Sequence, residues 1–74
     1  MNRQNLRKLA LVEDPYIREL IACRMEQGLT LEWVAEATGV NRGTLTRWEN
    51  ELASPRIGDY AKWAATLGKK VIVQ

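Results

Sequence analysis

The chain has 74 residues, with 11 lysines and arginines against 9 acids, a net charge of +2, 46% hydrophobic residues, a single cysteine and no histidine. That length makes one small domain near the lower limit for a self-sufficient core, so pairing with a second copy would add apolar burial. A solitary Cys23 and the lack of histidine exclude an intrachain disulfide, a thiolate metal cluster and the commonest general base and metal ligand.

Charge is unevenly spread. Residues 1–11 carry Arg3, Arg7 and Lys8 with no acid, residues 13–37 carry a net −4, and residues 38–74 carry a net +3. Basic ends around an acidic middle suggest one face suited to phosphates. In residues 1–12 the sizeable apolar positions before Val12 are Leu6, Leu9 and Leu11, which fit either a short helix or a flexible basic arm. Asp14-Pro15 is a helix start, with Asp14 as N-cap and proline where its missing N–H costs nothing. Ile17, Leu20, Ile21, Arg24 and Met25 then follow at helical spacing, up to a stop at Gly28. Cys23 reads as a small helix residue rather than a redox sensor.

Thr30 can cap the next helix, over residues 31–37. Val34 and Ala35 face inward, which turns Trp33 partly outward, either over the N-terminal segment or as a protein-binding patch. Gly39 allows the positive φ of a tight corner, and Val40 closes that corner apolarly. Asn41 caps a helix over residues 42–49, whose Leu45 and Trp48 return to the core. Two short helices crossing at roughly 90–120°, with the small Ala35 where they approach, make a helix-turn-helix. After a loop over residues 51–56, Ser54-Pro55 starts a last helix that buries Tyr60, Trp63, Ala64 and Leu67 and stops at Gly68. In the tail, Val71, Ile72 and Val73 are consecutive β-branched residues that read as a short strand, and a lone strand needs a partner. Antiparallel pairing with the same strand of a second copy would build a homodimer; the alternative is a frayed or helical tail.

From Ile17 to Leu67 the sequence resembles the phage repressor and Cro-like (XRE) helix-turn-helix family. The matching residues are Arg24, Gly28-Leu29-Thr30, Ala35, Gly39-Val40, Leu45, Trp48-Glu49-Asn50, Pro55, and Ala64 with Leu67-Gly68. The resemblance implies an all-α fold, a compact bundle of four or five helices. Residues 1–12 are then the arm or short helix, 13–68 the DNA-binding domain and 69–74 the dimerisation strand, similar to the C-terminus of some antitoxin-type members. It also implies a partly buried ion pair between Arg24 and Glu49, consistent with the cost of an unpaired charge on the apolar stripe of the first helix. One position departs: the family usually has a phosphate-contacting glutamine where this chain has Leu31.

By the same resemblance, the exposed face of helix 42–49 enters the major groove. Arg42, Gly43, Thr46 and Arg47 are the base-reading candidates, with Arg42 suited to guanine O6 and N7. Thr30, Thr44, Asn50 and Arg56 are the phosphate candidates, and Arg3, Arg7 and Lys8 would form an additional basic arm; the competing reading of both Arg42 and Arg47 is solvated surface charge. The implied function is a homodimeric transcription regulator, a repressor or autoregulator, on a palindromic double-stranded DNA operator with half-sites ~10 bp apart. Alternatives are an antitoxin-type regulator that also binds a protein such as a toxin, and a protein-interaction module without DNA binding. No catalytic residue, cofactor or metal ion is expected. No apolar run approaches the roughly 20 residues of a membrane span, and no apolar signal segment is present, so a cytoplasmic protein with no membrane partner is expected.

Overall fold

The computed structural model describes residues 2–69. Five helices follow in order: α1 Arg3–Leu11, α2 Pro15–Glu26, α3 Leu31–Thr38, α4 Arg42–Glu49 and α5 Ile57–Thr66. The described residues are all-α. Val71, Ile72 and Val73, assigned above to a dimerisation strand, lie outside them.

Of the two readings of the N-terminal segment, the structure has the helix. Asn2 caps it by accepting the Asn5 N–H at 2.8 Å, and Leu9 and Val12 are buried in the common core. Leu6 and Leu11 stay exposed. The start of α2 follows from Asp14, whose Oδ1 accepts from the Tyr16 and Ile17 N–H groups at 2.9 and 3.3 Å, directly ahead of a proline that is already set for the helix.

Ile17, Leu20 and Ile21 of α2 meet Val34 of α3, Leu45 and Trp48 of α4, and Trp63, Ala64 and Leu67 around α5. α4 packs on α2 and α3, and α3 packs also on α5. At the centre the Trp48 and Trp63 rings lie 5.6 Å apart between centroids, tilted by 34°, a spacing at which aromatic pairs attract beyond simple burial. Tyr60, expected in the core, is only half-buried at its edge.

The last helix begins later than Ser54-Pro55 suggests. Arg56 is still extended, at φ −68° and ψ 160°, and stands as N-cap with no side-chain cap bond. Proline fixes its own φ and keeps the residue before it extended, but leaves the following ψ free. Pro55 therefore lies in the lead-in instead of the first turn. No helix among the described residues is long and apolar enough to cross a membrane.

Candidate nucleic-acid interface

The geometry of α3 and α4 is set by the three residues between them and by their caps. Thr30 Oγ1 accepts the Trp33 N–H at 3.0 Å, and Gly39 adopts φ 77° and ψ 9°, a left-handed conformation costly for a residue with a Cβ. Thr38, buried beside it, has its own part: its hydroxyl donates to the Val34 carbonyl at 2.7 Å and accepts the Val40 N–H at 3.1 Å. That closes the corner from inside. Sequence reasoning passed over Thr38, although a threonine one residue before the turn glycine is placed to bond back along its helix. Asn41 Oδ1 then accepts the Gly43 N–H at 2.7 Å and starts α4.

On α4, Leu45, Trp48 and Glu49 are buried, whereas Arg42, Gly43 and Arg47 are exposed and Thr44 and Thr46 half-buried. Arg42 Nη1 is 2.9 Å from Glu32 Oε1. Arg47 Nη2 donates to Thr44 Oγ1 at 3.2 Å, and the Thr46 hydroxyl donates to the Arg42 carbonyl at 3.0 Å. A Cβ on Gly43 would stand 3.0 Å from Asn41 Oδ1, so the missing side chain leaves room for the cap. Of the phosphate candidates, Thr44 serves Arg47 and Thr30 serves its cap, while Asn50 at the C-cap of α4 and Arg56 at the N-cap of α5 are exposed. The α2 N-terminus is already taken up by carboxylates, and α4 has no acid in its first turn. Leu31 is half-buried against the core, so the position that departs from the family pattern contributes packing where a glutamine would offer a donor.

Below this face lies a charged cluster. Arg24 Nε donates to Glu49 Oε2 at 2.7 Å and Nη2 to Oε1 at 2.9 Å, while Nη1 donates to the Leu29 carbonyl at 2.9 Å. Lys8 Nζ joins from α1 at 2.8 Å. The Glu49 side chain is 0% exposed against 11% for Arg24 and 35% for Lys8. One buried carboxylate thus gathers α1, α2, the α2–α3 turn and the end of α4. The sequence pointed to Arg24 but grouped Lys8 with Arg3 and Arg7 in a basic arm.

Glu51 is a second residue the sequence did not reveal. The Leu52 N–H returns to the Arg47 carbonyl at 2.8 Å and the Glu51 N–H to the Trp48 carbonyl at 3.2 Å, which places Glu51 in the left-handed slot that glycine usually fills. Its φ is +60°. Its carboxylate accepts the Glu13 and Asp14 N–H groups at 2.9 and 3.2 Å, tying the end of α4 to the start of α2. Elsewhere, Cys23 Sγ donates to the Leu67 carbonyl at 3.3 Å, at the end of α5. Burial first, then Glu19, Asp14 and Tyr16, push the Tyr60 phenol above its ordinary value.

Two short helices hinged at a left-handed glycine, the second anchored by its apolar face and presenting arginines outward, define a helix-turn-helix domain. The family model described as Helix-turn-helix matches residues 20–72, and the chain belongs to this XRE-type family of DNA-binding regulators. Enzymatic activity is not typical of the family. Comparison with curated proteins and with solved structures gave no significant match. α1, with Lys8, lies ahead of the matched segment.

Proposed function

We propose that this chain is a sequence-specific regulator of transcription, a repressor or autoregulator, that reads double-stranded DNA with α4 in the major groove. The observation that carries the reading is the division of α4. Leu45, Trp48 and Glu49 anchor it while Arg42 and Arg47 stand exposed on the other side. In this reading Arg42 takes guanine O6 and N7. Arg47 reads a base or holds a phosphate, Thr46 offers its methyl and free lone pairs, and Gly43 lets the backbone approach. Thr30, Thr44, Asn50 and Arg56 face phosphates; the open N-terminus of α5, with Arg56 as its N-cap, suits an anion best among these. The regulator acts as a homodimer through Val71, Ile72 and Val73, on an operator of two-fold symmetry with half-sites ~10 bp apart. A second reading, an antitoxin-type regulator with a protein partner, is favoured by the half-exposed indole of Trp33.

Selection from random duplexes at two salt concentrations tests the proposal. A palindromic site should be enriched by the wild type. Arg42→Ala should lose preference at one base pair of each half-site, by about 1–3 kcal/mol. Arg56→Ala should weaken all sequences alike and lower the salt slope by about 1. Absence of both enrichment and salt dependence would overturn DNA reading in favour of a protein-interaction module.

A further inference from the structure

The ion pair between Glu32 and Arg42 stands where the proposed reading helix begins. Its side chains are 60% and 61% exposed, and exposed pairs of this kind add little to folding. Its consequence lies elsewhere. Arg42 is the first residue of α4, and a cation there opposes the positive end of the helix dipole. Glu32 is in the first turn of α3, where the dipole favours a carboxylate. The corner at Gly39 brings these two helix starts together, and the carboxylate meets the guanidinium at Nη1, 2.9 Å away.

A guanidinium is a planar fork of five N–H donors, so holding one arm orients the others without consuming them. A carboxylate beside it also cancels its charge toward the phosphate backbone, the sequence-independent part of DNA binding. From these contacts we infer that Glu32 is a positioning residue for base recognition: it presets the Arg42 fork and withholds its charge from DNA that lacks the right base. The inference rests on α4 being the reading helix. A like effect is not expected of Arg47, which is held by the neutral hydroxyl of Thr44.

The experiment uses the full chain and the selected duplex, with a second duplex altered at the base pair whose preference Arg42→Ala abolishes. Affinities for both are measured for the wild type, Glu32→Gln, Arg42→Ala and the double variant, with a thermal melt of each. The Glu32→Gln variant should melt with the wild type yet lose about fivefold or more of the affinity ratio, a share of what one bidentate arginine–guanine contact provides. In the Arg42→Ala background the same change should leave the ratio where it is. A wild-type ratio in Glu32→Gln, or an equal fall in both backgrounds, would overturn the role of Glu32 while leaving DNA reading intact. A wild type that binds no duplex would remove both.

Discussion

Replacing Glu49 by glutamine keeps the shape of the side chain and deletes its charge, which isolates what the carboxylate does. In the wild type its two oxygens accept three N–H donors, from Arg24 Nε and Nη2 and from Lys8 Nζ, all at 2.7–2.9 Å. The two cations do not lose equally. Lys8, at 35% exposure, can turn to water; Arg24, at 11%, is left largely desolvated without a counter-charge, with the Leu29 carbonyl and one neutral amide oxygen as acceptors and the amide NH2 facing its donors. Removing one partner of a buried pair costs about 3–5 kcal/mol, and Arg24 makes this site an instance of that class. A domain of this size has about 4–11 kcal/mol of stability in all, so Glu49→Gln should unfold easily, with Tm lowered by roughly 12–40 °C. Lys8→Ala breaks only the better solvated arm and should cost about 1 kcal/mol or less. Urea titration followed by tryptophan fluorescence reads both, because Trp48 adjoins Glu49 in α4. A paired replacement of Arg24 and Glu49 by methionine should recover much of the loss, since no buried charge is then left unmatched. Should Glu49→Gln melt with the wild type, or Lys8→Ala cost as much as Glu49→Gln, the assignment of a buried anchor to Glu49 fails.

Glu51 sets a left-handed backbone, worth about 1–2 kcal/mol of strain for a residue with a Cβ, against two hydrogen bonds to the Glu13 and Asp14 N–H groups. Glu51→Ala keeps the strain and loses the bonds, and should destabilise by about 1–2 kcal/mol; Glu51→Gly loses the bonds but relieves the strain, and should be the milder change in urea titration. Alanine and glycine variants of equal stability would refute that division. Tyr60 has a pKa raised above its ordinary 10.0, so the folded state holds the phenol proton more tightly than the unfolded chain. Its contribution is complete below pH 10.0 and is lost as pH rises through and beyond that value. Melts across the alkaline range should fall less steeply for Tyr60→Phe than for the wild type, and parallel curves would show that the phenol is not a cause.

What could be read in the sequence was what local rules control. Asp14-Pro15 and the apolar stripe of α2 announce a helix by capping and period, and Gly39 ahead of Val40 and Asn41 announces a corner by conformation. Arg24 drew notice because a charge on an apolar stripe requires a partner. The contacts of Lys8 and Glu51 had no such signal. Each joins segments 37–41 residues apart in the chain, and no periodicity marks a lysine that pairs rather than dissolves. The start of α5 was misplaced because proline constrains itself and its predecessor but not the residue after it. Nothing in the sequence singles out Glu32: its meeting with Arg42 depends on the angle of the turn, which sequence spacing alone does not disclose.

α4 spans eight residues, well under the ~12–15 at which an isolated helix becomes marginal in water, so its position must come from what holds it. Beyond the apolar core, two carboxylates do so, Glu49 through Arg24 and Lys8 at its end and Glu51 through the backbone beyond, while a third, Glu32, meets Arg42 at its start. Burial decides what each can affect. Glu49 is wholly enclosed, so its loss is felt by the fold before any ligand is involved. Glu51 is exposed but bonded to backbone, which limits its effect to the local tie between α4 and α2. Glu32 is exposed and bonded to a proposed base-reading side chain, so it can change selectivity while hardly touching stability. An acid on a DNA-facing domain weakens attraction to phosphate, and for Glu32 the control of Arg42 is the compensating gain. Stability and base choice in this domain should therefore respond to different acidic residues, Glu49 for the first and Glu32 for the second.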